Sequence, residues 1–182
     1  LSYCERMEHQ GSPEVGPATV FVSWALKTPI VDLHEALSSY VHINELPLDT
    51  KFWICDFVIR QTRDEMKRDL AFLGECVQAM ERTVLIVDDW WSPTPLGRSY
   101  CIKEVVHTWL GGNQFDFAMT NGQRDGFLET IMSAGDNDDG FNSIARTVSR
   151  IHVERAETRN KDEQQAILAE LEETVGIATC NQ

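Results

Sequence analysis

The chain has 182 residues, 42% hydrophobic and 25% charged, enough for one domain with a two-layered core and too few for two comfortable ones. Its 16 basic and 29 acidic residues leave a net charge of −13 and an isoelectric point near 4.7. That balance argues against a nucleic-acid backbone or an anionic membrane surface as the main partner, and no apolar window is long enough to insert into a membrane.

The first residues, from Leu1 to Arg6, show no basic region followed by an apolar stretch, so no signal peptide is visible. A chain opening on Leu reads as a piece of something longer. Cys4, Cys55, Cys76, Cys101 and Cys180 are widely spread, odd in number and free of any C-x-x-C pair. The pattern predicts reduced thiols in a cytoplasmic setting, with neither a disulfide framework nor a metal site.

In chain order, residues 19–23 form a β-branched apolar run that reads as a strand. Thr28 is expected to cap a helix with Pro29 at its first position, and Ile30, Leu33, Leu37 and Tyr40 or Val41 give that helix an apolar face. After a turn over 44–49, residues 51–56 read as a second buried strand, followed by a polar loop over 61–64. Met66, Leu70, Leu73, Val77 and Met80 step along one second helix. Residues 83–87 are the most strand-like run, and they end in Asp88, Asp89, Trp90 and Trp91.

Thr94 is expected to cap a third helix with Pro95 in its first turn, an inner side of Ile102, Val105, Val106 and Trp109, and a stop at Gly111 and Gly112. A fourth strand over 114–119 precedes helices over 125–133 and 142–150, with a polar turn over 135–140 between them. The last helix is capped by Asn160 with Glu163 as capping-box partner, buries Ile167, Leu168 and Leu171, and stops at Gly176.

Short strands separated by single helices predict an α/β, flavodoxin-like three-layer domain. Its parallel sheet has four to five strands in the order 2-1-3-4-5, with helices on both faces. Residues 1–17 read as an extension or linker, 18–159 as the domain, and 160–182 as a C-terminal helix packing on it. Ligands of such sheets bind beyond the carboxyl ends of the strands where the order reverses, here between strands one and three. Those ends carry Ser23 and Trp24 on one side and Asp88, Trp90 and Trp91 on the other. The third helix leads out of the second loop, so Tyr100, Cys101 and Glu104 in its first turns flank the same crevice.

Each candidate has a plainer reading. Glu104 is either a functional carboxylate at the border of the inner face or a solvated helix acid. Asp88 and Asp89 either reach a ligand or satisfy amides of their own loop. Trp90 and Trp91 form a stacking platform for a purine or pyridine ring, or divide into one core and one lid residue. Other motifs are missing. The 135–140 segment lacks the register of a calcium loop, and there is no G-x-G-x-x-G, P-loop or G-x-S-x-G elbow. The five histidines do not cluster, although His107 follows Glu104 by three residues.

Several of these stretches occur together in order: Phe21 to Ser23 after Gly16 to Ala18, Phe52 to Cys55 with Gln61, Arg82 to Val87, Trp91 with Pro93, Pro95 and Leu96, and Arg98 to Glu104. With the tail Ile151 to Glu157, Asp162, Ala166 and Ile167, they resemble the Toll/interleukin-1 receptor (TIR)-like domains common in algae and other protists. The stretch Ser99 to Glu104 is similar to the S-x-W-C-x-x-E segment of the helix after the third strand in the wider superfamily. In members that cleave the nicotinamide–ribose bond of NAD, the glutamate of that segment is catalytic. The resemblance therefore implies Glu104 as catalytic carboxylate, NAD as substrate, no resident cofactor, and ligand contacts from Ser23, Trp24, Asp88, Trp90, Trp91, Tyr100 and Cys101.

The sequence departs from the family at the crevice. The protist group has Ser-His-Ala-Trp after strand one, where this chain has Ser23, Trp24, Ala25 and Leu26, and the helix tryptophan is Tyr100. Many TIR domains act only by self-association or by binding other protein domains, so a non-enzymatic interaction or scaffold module of a larger protein is the alternative expectation.

Overall fold

The computed structural model describes residues 1–133 and 152–181. Strands β1 (Val20–Ser23), β2 (Phe52–Ile54), β3 (Arg82–Ile86) and β4 (Gln114–Ala118) pair in the order β2-β1-β3-β4, all parallel. This is the expected flavodoxin-like arrangement. The central strand β1 is buried along its whole length, as a parallel strand covered on both faces must be. Val20 and Val22 point to one face, where Leu33, Ala36 and Tyr40 of α2 (Ile30–Ile43) meet Val84, Ile86 and Ala118. Phe21 points to the other, stacked on Trp53 with ring centres 4.7 Å apart and packed on Leu73 and Val77.

The remaining helices among the described residues are α1 (Tyr3–His9), α3 (Cys55–Val58), α4 (Arg63–Ala71), α5 (Leu73–Gln78), α6 (Ser99–Gly111), α7 (Asn121–Ser133), α8 (Lys161–Thr174) and α9 (Ile177–Cys180). The start of α7 is tied to α2, since Ser39 Oγ donates to Asn121 Oδ1 at 2.8 Å and the Asn121 amide donates to Glu35 Oε1 at 2.9 Å. Helices α5 and α6 cover the opposite face, and α8 packs outside α6 through Ile102, Ile167 and Leu171. Residues 1–17 include α1, which carries a capping box between Ser2 and Glu5 and lays Tyr3 on Phe57, ring centres 5.7 Å apart. The expected turn over 135–140 and helix over 142–150 lie outside the described residues.

Several boundaries differ from the sequence reading. The cap of α2 is Pro29; the Thr28 hydroxyl is buried without a hydrogen bond and caps nothing. The second strand shortens to three residues because Cys55 already begins α3. The single helix expected over 66–80 breaks at Phe72, 58% exposed, into α4 and α5. The break lets α5 run close against α6 at Gly74. Helix α7 starts at Asn121, four residues before the expected Asp125.

The expected start of the third helix is a separate 3-10 turn, Thr94–Gly97, and α6 begins at Ser99 without a side-chain cap. The C-terminal segment supplies what a cap would. The Ser99 amide donates to the Glu157 carbonyl at 3.1 Å, and Ser99 Oγ donates to the Ala156 carbonyl at 3.0 Å. The inner side of α6 also differs: Cys101, Glu104 and Thr108 are buried toward the sheet, Ile102 faces α8, and Trp109 is 67% exposed. Polar side chains with partners in the sheet occupy the face that hydrophobicity alone assigns elsewhere.

Asn160 caps α8, its Oδ1 accepting the Glu163 amide at 2.9 Å. Asn160→Ala is expected to cost about 1 kcal/mol, the usual worth of such a cap. A denaturant midpoint equal to the parent's would show that α8 does not depend on it.

Candidate functional site

Alternation along β1 sends Ser23, like Phe21, to the α5 and α6 face. There its Oγ donates to Glu104 Oε2 at 2.5 Å, joining the end of the central strand to α6. Glu104 is the sixth residue of α6, nearer the helix start than a cap at Thr94 would place it, and only 6% exposed. Its carboxyl borders a cavity of ≈ 90 Å³ whose walls come from five places: Trp24 after β1, Cys55 and Asp56 after β2, Met66 and Leu70 of α4, Tyr100 and Cys101 of α6, and Arg159 with Glu163 at the start of α8.

Burial sets the electrostatics of this space. It pushes Glu104 up to about 8, against the Ser23 hydrogen bond and the charge of Lys103. Burial raises the Cys55 thiol to about 12 and the Cys101 thiol further, the nearby Glu104 adding to both. Burial also raises Tyr100 to about 12 and lifts Asp56 despite the attraction of Arg159. At neutral pH the interior thus holds a protonated carboxyl and protonated thiols. These are inert cysteines.

Behind Glu104, α6 is fastened to α8. Lys103 Nζ donates to Glu170 Oε2 at 2.7 Å, and His107 Nε2 lies 3.0 Å from Glu170 Oε1. His107 Nδ1 is 2.8 Å from the Gln78 side-chain amide nitrogen, a donor, so the ring carries its proton on Nε2. Burial raises the Glu170 pKa, but the bonds from Lys103 and His107 outweigh it and leave the group below its ordinary value.

Of the residues expected at the site, Ser23, Trp24, Tyr100, Cys101 and Glu104 come together. Asp88, Trp90 and Trp91 do not join them. Asp88 Oδ1 accepts the amides of Asp89 at 3.0 Å and Thr94 at 2.9 Å, closing its own loop. The Trp90 ring packs edge-on against Trp91 and Phe127, its amide donates to Gln123 Oε1, and Trp91 is 53% exposed. The loop after β3 thus leans on α7, and the cavity lies at the ends of β1 and β2 instead of β1 and β3.

Cys55, Asp56, Arg98, Arg159 and Glu163 line the cavity and escaped the sequence reading. The rule that ligands meet strand ends points to Asp56 once applied to β2. Glu163 read only as a capping partner, and no local signal marks Arg159. No protein-family model matches the chain, and no curated protein matches its sequence.

Chemically, Glu104 is a buried carboxyl in a mostly apolar, indole-walled space that Asp56 and Glu163 also line. It is neutral when the space is empty and favoured as an anion when a cation enters.

Proposed function

We propose that this chain is a TIR-like domain that cleaves the nicotinamide–ribose bond of NAD, with Glu104 as its catalytic carboxylate. The observation that carries the reading is the direction of Glu104: inward, into a cavity walled by Trp24 at the carboxyl end of the central strand. In this reading the positively charged pyridinium favours ionised Glu104. The C1′–N1 bond breaks, its electron pair leaving with neutral nicotinamide, and the carboxylate stabilises the oxocarbenium-like ribosyl centre. Water adds to C1′ and passes its proton to Glu104. Ser23 holds the carboxyl in place. Five free thiols fit a cytoplasmic setting.

Concentrated protein is expected to release nicotinamide from NAD, with kcat/KM rising with pH toward a plateau above about 8. Glu104→Gln is expected to be slower by at least about 100-fold, as for loss of one electrostatic stabiliser. No release by the parent, or equal release by the variant, ends this reading.

The cavity's size favours a second reading. At ≈ 90 Å³ it is smaller than the roughly 150 Å³ that holds a benzene ring, so no dinucleotide fits without movement of a wall. A TIR-like interaction or scaffold module needs no such movement. It predicts concentration-dependent self-association and a melting temperature indifferent to NAD.

A further inference from the structure

Helices α4 and α8 each present one stripe of side chains to a groove of ≈ 610 Å³ between them. On α4 the stripe includes Arg63, Met66, Lys67 and Leu70; on α8 it includes Glu163, Ala166, Ile167 and Glu170. Both run i, i+3, i+4, i+7, the rows between which the side chains of another helix pack. The two walls are held separately. Arg60 binds Asp69 of α4 through its amide at 3.0 Å and its Nε at 3.1 Å, while Lys103 ties α8 to α6 through Glu170. Arg159 Nη1 reaches the Met66 sulfur at 3.8 Å from just before α8, at one end of the groove. The walls also differ in charge. Arg63 and Lys67 stand on α4 and Asp162 and Glu163 on α8, and none of the four closes an ion pair among the described residues. Acids in a first turn are ordinary on α8. On α4, Arg63 in the first turn opposes the helix dipole, and Lys67 four residues on repels it.

We propose that the α4–α8 groove seats an amphipathic helix of a partner protein. Its apolar stripe lies inward, its acidic flank faces α4 and its basic flank faces α8. Half-buried Met66, Leu70 and Tyr100, with buried Ile167, form the apolar floor for that stripe. Exposed Ala71 and Ala166 are small enough to let a helix backbone come close. No strand residue lines the groove, so an extended peptide would find no edge to pair with; a helix meets both walls with anchors at i, i+3, i+4 and i+7. A ligand of one sign is attracted by one wall and repelled by the other. Two copies of the chain, each of net charge −13, repel one another, which favours a foreign helix over a second copy. The inference is independent of the chemistry assigned to Glu104.

The test is binding of helical peptides as long as the 14-residue α8 to the full chain, read by fluorescence anisotropy. Each is stapled, because a free helix of this length is marginal in water, and carries leucines at i, i+3, i+4 and i+7. One has glutamates on one flank and lysines on the other, one has glutamates on both, and one has lysines on both. The parent should bind the two-signed peptide at least about tenfold more tightly than either one-signed peptide, with affinity falling as salt rises. Arg63→Glu with Lys67→Glu makes both walls acidic and should pass the preference to the all-lysine peptide. Both positions are exposed, so the melting temperature should hold. Ala166→Trp should fill the groove and abolish binding of the two-signed peptide. Binding of no peptide by the parent, equal binding of all three, or a two-signed preference that survives the double variant overturns the proposal. So does a parent that prefers the all-lysine peptide, as its overall charge alone would dictate. Dimers of the parent that Ala166→Trp dissociates would give the groove to a second copy and overturn it too.

Discussion

Glu104→Gln is expected to melt well above the parent at pH 9 and close to it at pH 5. The folded protein holds this proton up to about pH 8, whereas the unfolded chain releases it near the ordinary glutamate value of about 4.3. A carboxyl raised in this way contributes stability that is complete below the unfolded value and is lost progressively as pH rises through the folded one. Across that window the loss is on the order of 5 kcal/mol, at about 1.36 kcal/mol per pH unit. The carboxyl is almost wholly buried, so solvent screening relieves little of this. Glutamine keeps the shape and still accepts from Ser23 Oγ, but it has no proton to lose. Thermal melts of both proteins at pH 5, 7 and 9 decide the matter, and parallel curves would mean that Glu104 titrates as an exposed acid does. The ionised form needed to stabilise a ribosyl cation is the form the empty fold tolerates least.

Gly74→Ala is the second substitution expected to act strongly. A Cβ at this position would lie 2.4 Å from His107 Cε1 and 2.7 Å from both ring nitrogens, too close for any real contact. The imidazole cannot simply swing away, because Gln78 and Glu170 hold its two nitrogens. Either α5 retreats from α6, or His107 gives up its partners inside the protein. Overpacking of this kind costs about 1–3 kcal/mol, and a buried polar group left unpaired adds about 1–3 kcal/mol. The expected result is a melting temperature lower by many degrees. Gly74→Ala with His107→Ala should recover part of the loss by vacating the space, and a double variant no more stable than Gly74→Ala would place the clash elsewhere.

The sheet was legible because its strands are buried on both faces: Thr19 to Ser23 and Thr83 to Val87 are short β-branched runs that no amphipathic helix produces. Helix stops at Gly112 and Gly176 were legible too, since both residues have positive φ, +66° and +80°. The inner face of α6 was not. Its sheet-facing positions are Cys101, Glu104 and Thr108, and two of these are polar residues satisfied by Ser23 and Thr83 across the sequence. Hydrophobic periodicity cannot see a carboxylate whose partner lies 81 residues away. The site was half legible for the same reason. Glu104 and Ser23 came from strand-end geometry and motif likeness, whereas Arg159 and Glu163 reach the cavity only because α8 folds back over α6.

That return of the chain has a practical consequence. The four strands among the described residues, and Glu104 with them, precede residue 119, so a fragment chosen by counting strands would look complete. It would lack the backbone acceptors at Ala156 and Glu157 that hold the first turn of α6, the carboxylate that neutralises Lys103, and one wall of the cavity. Silence from such a fragment would report on the missing wall and leave the chemistry of the intact protein unexamined.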